Sequence, residues 1–404
     1  MSRGVPAGLT PPVGSRRACL GLLFTAGATT VLAGCAAITA PETAATPPTS
    51  EPLQPANALG TGQIKAALIL PLSYSGNAAA VAKSMRNAAE MALADFNSPN
   101  VQLLVKDDAG TVQGAQLAGQ QAVDEGAEII LGPLFAQSVS VVGQVARSRN
   151  VPVIAFSTDS NAATRGVYLL SFLPESDVNR IILYAATTGK RSLAALIPDN
   201  PYGSVVEAEF RQIAARKGMR VVAIEHYPAD SARLQEPVRT VAQSAAGADV
   251  IFIPDGPDTA PALVQALNAS GVNTRRLALL GTGLWADDPR IPAEEALQGA
   301  LYPAPDDGTS FRNFAARYRT KFSEQPVRTA TLAYDAVALV AALVKTQGAQ
   351  RFSEQVLTNP LGFAGIDGVF RFRTNGMNER GLAVLRVTAG GPQVVSPAPR
   401  AFQV

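Results

Sequence analysis

The chain offers few side chains suited to catalysis. His226 is its single histidine, and Cys19 and Cys35 are its two cysteines. That inventory excludes a zinc site built from Cys and His and a disulfide-rich scaffold. A general base needs an oriented partner within hydrogen-bond reach. His226 follows Ile224-Glu225 at the end of an apolar run and reads as a surface or capping residue. The acids Asp107-Asp108 could share a proton or hold a metal. Directly after Val101–Val105, they read instead as caps of the next helix or as the lining of a cleft mouth. Gly281-Thr282-Gly283 is too short for a nucleotide fingerprint, and no Gly-x-x-x-x-Gly-Lys run occurs. Ser157-Thr158-Asp159-Ser160 gathers hydroxyls and an acid just past the apolar run Val151–Phe156. Nowhere does the spacing assemble a nucleophile with its base. The expectation is a non-enzymatic protein with no cofactor and no metal.

What must position these residues is an alternating chain. Its 404 residues are 47% hydrophobic and 16% charged, with a net charge of +2. The length suits two to three domains or two lobes of one unit. The composition excludes disorder for most of the chain, and the charge lacks the basic footprint of a nucleic-acid binder. Short apolar runs occur at Ile64–Leu70, Val101–Val105, Glu128–Leu131, Val151–Phe156, Leu193–Ile197, Arg220–Ile224, Asp249–Ile253 and Arg276–Leu280. Such runs suit strands buried on both faces of a parallel sheet. Between them lie helical periodicities, among them Ala78–Asn97, Ser138–Arg147, Asp177–Thr187 and Val205–Lys217. The pattern predicts doubly wound α/β units with right-handed crossovers. One sheet cannot comfortably hold them all, so two lobes are expected. Breaks fall near Ser171–Ser176, Tyr302–Gly308 and Leu361–Gly368, and three crossings would form a hinge. Ligands of open α/β sheets bind beyond the carboxyl ends of the strands, so the cleft between the lobes is the expected site.

The N-terminus reads as an address. Arg16-Arg17 precede the apolar run Ala18–Ala33, which ends in Leu32-Ala33-Gly34-Cys35. This resembles the lipobox of bacterial lipoproteins, in which the Cys35 thiol would receive a diacylglyceryl group and become the mature N-terminus. Cys19 would leave with residues 1–34. Ser15-Arg16-Arg17-Ala18-Cys19-Leu20 also resembles a twin-arginine signal. Residues 35–63 are rich in Pro, Ala and Thr and read as a flexible tether from a lipid anchor. Ala36 points to the outer membrane in a host that has one.

The body resembles the type 1 periplasmic solute-binding proteins of the leucine/isoleucine/valine-binding kind. The resemblance is carried by Ala67-Leu68-Ile69-Leu70-Pro71-Leu72-Ser73 with Arg86–Ala92, by Leu131-Gly132-Pro133-Leu134, and by Val151–Ser157. Pro198-Asp199-Asn200-Pro201-Tyr202-Gly203, Ala333-Tyr334-Asp335-Ala336 and Phe363–Gly368 extend it, so that nearly all of 64–390 is covered. It implies a two-lobed fold of parallel sheets flanked by helices with a three-crossing hinge. Lobe 1 is expected at 64–175 and 303–360, and lobe 2 at 176–302 and 361–404. It also implies a small amino-acid-like ligand, held by hydroxyls and backbone N–H groups of the first lobe and by a carboxylate of the second. Carried onto this sequence, the ligand-binding candidates are Ser138, Ser157, Asp159, Tyr202, Asp255 and Trp285. The match is altered at two points. Ala136 stands where the family has its carboxylate-binding Ser, and Gly283 stands where it has its ammonium-binding acid.

Two functions remain open. One is a lipid-anchored periplasmic receptor that hands an amino-acid-like solute to an ABC permease. The other follows from Phe156–Asp159, Gly166–Phe172 and Pro198–Gly203, which resemble the penicillin-binding-protein activator lipoproteins. In that case the partner would be a peptidoglycan synthase and the chain would sit at the outer membrane.

Overall fold

The computed structural model describes residues 57–96, 100–228, 234–286, 288–305 and 309–402. The export segment, Cys35 and most of the tether lie outside the described residues, as does the end of the second expected break. The first sheet is built from β1 (Ala58–Leu59), β2 (Ile64–Leu70), β3 (Val101–Asp107), β4 (Ile129–Leu131), β5 (Val153–Ala155) and β6 (Val167–Leu169). Helices α1 (Asn77–Asp95), α2 (Val112–Asp124) and α3 (Ala136–Arg147) connect the strands from β2 to β5. The strand order is β1-β3-β2-β4-β5-β6, parallel except where β1 runs against β3.

The second sheet begins after α4 (Pro174–Thr187). It contains β7 (Ser192–Pro198), β8 (Arg220–Tyr227), β9 (Val250–Phe252), β10 (Ala278–Leu280) and β11 (Leu301–Ala304), with α5 (Pro201–Arg216), α6 (Gln235–Ser244) and α7 (Ala260–Ala269) between. The chain then returns to the first sheet as α8 (Thr309–Phe322), α9 (Ala330–Thr346) and the short α10 (Glu354–Leu357). A small antiparallel sheet follows, formed by β12 (Phe363–Gly365), β13 (Gly368–Phe372) and β14 (Asn378–Arg380). Finally β15 (Ala383–Arg386) and β16 (Gln393–Ser396) add to the second sheet, giving the order β16-β15-β11-β10-β9-β7-β8.

The near-continuous apolar runs are explained by two-sided burial. In β2, Ala66, Leu68 and Leu70 pack with α1 and α9, whereas Ala67 and Ile69 face α2 and α3. In β7, Ala194 and Leu196 pack with α6 and α7, and Leu193, Ala195 and Ile197 with α4 and α5. Successive side chains alternate sides, so a strand covered by helices on both faces has no polar face.

Sequence and structure part at the C-terminus. Residues 361–404 were expected in the second lobe, but packing divides that stretch. Phe370 and Phe372 of β13 lie in the core of the first sheet, and Tyr168 of β6 packs against Phe372 with ring centroids 5.3 Å apart. Only β15 and β16 belong to the second sheet. The alternation of β13, with Phe370 and Phe372 buried and neighbours half-exposed, is the period of a one-sided antiparallel strand. The chain therefore crosses between lobes after β6, after β11 and between β14 and β15.

Candidate functional site

The second lobe presents a connected polar network at the carboxyl ends of its strands. Asn200 caps α5, its Oδ1 accepting from the Gly203 N–H at 2.8 Å, with Pro201 in the first turn. A Cβ at Gly203 would stand 1.9 Å from the Pro198 carbonyl oxygen, so only glycine lets the helix start this close to the end of β7. That start holds Tyr202 over the strand ends. Its hydroxyl shares a 2.9 Å hydrogen bond with Thr282 Oγ1, and Thr282 is fully buried just after β10. Tyr227, the last residue of β8, donates to Asp255 Oδ2 at 2.6 Å, while Asp255 Oδ1 accepts from the Gly256 N–H at 2.6 Å. Trp285 is only 1% exposed and donates its indole N–H to the Asp255 carbonyl at 2.7 Å.

Beneath the loop after β10 lies Asp177, in the first turn of α4. Its Oδ2 accepts from the Gly283 N–H at 2.8 Å, and a Cβ at Gly283 would stand 2.7 Å from that oxygen. Residue 283 thus has no room for a side chain, because an acid from α4 occupies the space. Burial pushes Asp177 up to about 7, opposed by the Gly283 N–H and reinforced by the negative charge of Glu175. Burial also raises Tyr202, against the hydrogen bond to Thr282. It raises Tyr227 as well, helped by the Asp255 oxygen that accepts its proton. Both phenols are therefore neutral at physiological pH, and Tyr227 is the donor to Asp255.

The first lobe arranges its polar residues differently. Asp107 Oδ1 accepts from the backbone N–H of Ser73 and Ala109, at 3.2 and 2.8 Å. Asp108 Oδ1 accepts from the Gly110 N–H at 2.9 Å. The expected helix cap is supplied not by this pair but by Thr111, whose Oγ1 accepts from the Gly114 N–H at 2.9 Å. Ser157 Oγ accepts from the Asp159 N–H at 3.1 Å, and Asp159 Oδ1 caps a short 3-10 turn by accepting from the Asn161 N–H at 3.0 Å. Tyr74 and Phe135 meet edge to face, with centroids 5.6 Å apart, on loops after β2 and β4.

The expected residues thus fall into two groups. Tyr202, Asp255 and Trp285 are joined, directly or through neighbours, in the second-lobe network, with Trp285 filling the lobe interior. Ser157 and Asp159 share one turn of the first lobe, Asp159 exposed and Ser157 buried. Ser138 is buried in the first turn of α3. Sequence reasoning missed Asp177, Tyr227 and Thr282. Tyr227 ends a predicted strand and Asp177 opens a predicted helix, which are the positions a strand-end site recruits. His226 is exposed, and its Nε2 lies 2.6 Å from Glu207 Oε2, while Glu207 Oε1 accepts from Arg211, so the histidine sits in a surface ion-pair cluster. Among the described residues no cluster of three or more His, Cys, Asp or Glu side chains could hold a metal ion.

Comparison with known proteins gives this geometry a family. Residues 63–392 match the periplasmic binding protein family. Solved structures share the fold. One is a candidate branched-chain amino acid ABC transporter protein from Rhodospirillum rubrum, with a TM-score of 0.73 at 20% identity, covering 82% of this chain and 99% of that one. A branched-chain amino acid ABC transporter periplasmic ligand-binding protein from Burkholderia xenovorans LB400 gives 0.64 at 17% identity, covering 83% and 96%. The leucine-binding protein LivK of Thermotoga maritima gives 0.56 at 18% identity, covering 84% and 99%. A curated relative, the uncharacterised protein RP748 of Rickettsia prowazekii (strain Madrid E), is 23% identical over 183 residues, which is 45% of this chain. This chain spans about half the length of that relative, 48%. Two helix-flanked, mainly parallel sheets and a match across most of the sequence lead to one conclusion: the chain belongs to the periplasmic binding protein family.

Proposed function

We propose that this protein is a non-catalytic receptor of the cell envelope that captures a small amino-acid-like solute between its lobes and presents it to an ABC-type importer. The observation that carries the reading is the second-lobe network. Tyr202, Thr282, Tyr227, Asp255 and Asp177 converge at strand ends, where an open α/β sheet receives a ligand. Two carboxylates and two neutral phenols, with a backbone-anchored tryptophan behind them, suit the polar end of such a solute. The match to solute-binding proteins of amino-acid importers supports the same reading. In this account Ser157 and Asp159 face the solute from the first lobe, and Ser138 supports their neighbouring loop. Lobe 1 comprises 64–173 and 305–380, lobe 2 the remainder of the body, and Cys35 carries the lipid.

Thermal unfolding against a panel of amino acids and short peptides tests the proposal. A ligand at about a hundred times its dissociation constant adds roughly 2.7 kcal/mol of stability. An upward shift with one solute class is expected. No shift across the panel rejects a receptor role and favours the alternative, a lipoprotein that binds a peptidoglycan synthase. Radiolabelled palmitate in the full chain, lost in Cys35→Ser, is the expected sign of the anchor.

A further inference from the structure

A cavity of about 510 Å³ lies at the amino ends of β5 and β6, the end of the first sheet opposite its carboxyl-end loops. Its size is that of a small-molecule site. Four segments build it: the last turns of α3, the loop Asn150–Pro152 ahead of β5, the turn Thr164–Gly166 with the start of β6, and Phe352–Glu354 at the start of α10. All of its described lining residues belong to the first lobe, so its shape does not depend on how the lobes are arranged. Val151, Pro152, Val167 and Phe352 give it apolar walls.

Two features point to a ligand. The first is Tyr168, which lines the cavity although the residue is only 1% exposed and its ring packs on Phe372. Its hydroxyl has no hydrogen-bond partner among the described residues, yet it is not sealed from solvent. Burial raises the Tyr168 phenol from its ordinary value, Glu354 adds to the shift and Arg165 opposes it, so the hydroxyl keeps its proton at physiological pH. Both of those charges line the cavity, which places the hydroxyl in the field of its wall. A buried phenol normally finds a partner. The second feature is an imbalance of charge. Glu354 Oε2 accepts from Arg165 Nε and Nη2, at 2.9 and 2.7 Å. Arg147 has no such match, since among the described residues no hydrogen bond or ion pair reaches it. A guanidinium without a counter-charge and a free phenolic O–H are both donors, and a carboxylate is the acceptor that satisfies the two with charge-assisted bonds.

We propose that this cavity is a second ligand site, taking a small organic anion with an apolar body whose carboxylate is held by Arg147 and the Tyr168 hydroxyl. The body lies against the apolar walls and loses its contact with water there. The site is independent of the second-lobe network, which sits at the carboxyl ends of the other sheet.

Titration calorimetry on the full chain tests it, with phenylacetate as the probe and with 2-phenylethanol and benzylamine as neutral and cationic controls. A Tyr202→Phe/Asp255→Asn background impairs the strand-end network, so that binding between the lobes does not mask the signal. Phenylacetate is expected to bind in that background, and neither control. Adding Tyr168→Phe, which keeps the ring against Phe372 and removes only the hydroxyl, should weaken the binding at least fivefold. Arg147→Gln should weaken it at least tenfold, and Arg147→Lys should restore part of the loss, while circular dichroism reports an intact fold. Absence of phenylacetate binding overturns the proposal. So does binding that Tyr168→Phe and Arg147→Gln both leave within twofold, or benzylamine binding as tight as that of phenylacetate.

Discussion

The loops after the first sheet and those after the second solve the same problem in opposite ways. In the first lobe, Asp108 and Asp159 serve their own turns, and Asp107 alone of the three also reaches another loop, at the Ser73 N–H. Asp108 and Asp159 each accept from a backbone N–H two residues away. In the second lobe the contacts are long-range. Tyr227 reaches Asp255, Tyr202 reaches Thr282, Trp285 reaches the Asp255 carbonyl, and Asp177 reaches Gly283. A turn that satisfies itself can move as a unit. A network that ties four strand-end segments and the start of α4 together cannot change at one point without changing at others. The second lobe is thus the preorganised wall, and the first is the wall free to adapt.

Removing the indole that backs the network should give the largest effect. Trp285→Ala leaves a cavity among Tyr302, Ile291 and Leu297 and should destabilise the fold by about 3–5 kcal/mol in denaturant unfolding. A loss under about 1 kcal/mol would show that the indole is not structural. Next in size is Tyr227→Phe, which takes the donor from Asp255 Oδ2 while keeping the ring. About 1–3 kcal/mol is expected from the same measurement.

Acidity sharpens the contrast, because the raised carboxyl of the network belongs to the second lobe. Asp177 holds its proton up to about pH 7 when folded, well above the ordinary aspartate value of 3.8. The folded state therefore binds more protons than the unfolded state between those values. Stability from this group is present at low pH and falls as pH rises toward 7, with a slope of at most about 1.4 kcal/mol per pH unit. Asp335, buried under the Ile366 N–H and pushed up to about 8 chiefly by burial, acts in the same direction to a slightly higher pH. Asp177→Asn should flatten the decline between pH 5 and 7, and Asp335→Asn should flatten it up to pH 8. Unchanged stability profiles in both variants would remove these groups from the account. The smallest effect is expected in the first lobe. Asp159→Ala deletes the cap of one exposed turn and should change stability by about 0.5–1 kcal/mol.

Much of the fold was legible in the chain before the structure. The runs that became β2, β3 and β7 are apolar on consecutive residues, which only a strand covered on both faces explains. The small sheet was not legible as part of the first lobe. Phe370 and Phe372 alternate with polar residues, and alternation reports one-sided burial without saying which core receives it. At the site, Tyr202 and Asp255 were expected because the family resemblance placed them on cleft loops, and they lie just after β7 and β9. Asp177 escaped notice because it acts through space. Its partner Gly283 is 106 residues away, and the glycine reads as a missing acid until the acid that displaces its side chain is seen. An indole at Trp285 suits either stacking on a ligand or filling the lobe, and its burial and its hydrogen bond to the Asp255 backbone turn it inward.

The central claim is that a solute is held chiefly by the second-lobe network. Calorimetric titration of the full chain with the solute that gives the largest thermal shift tests it, comparing Asp255→Asn with Asp159→Asn. The account predicts that Asp255→Asn weakens binding tenfold or more while Asp159→Asn stays within about threefold, a gap of roughly 0.7 kcal/mol or more at 1.4 kcal/mol per tenfold. The opposite order, with Asp159→Asn the more damaging, would contradict it.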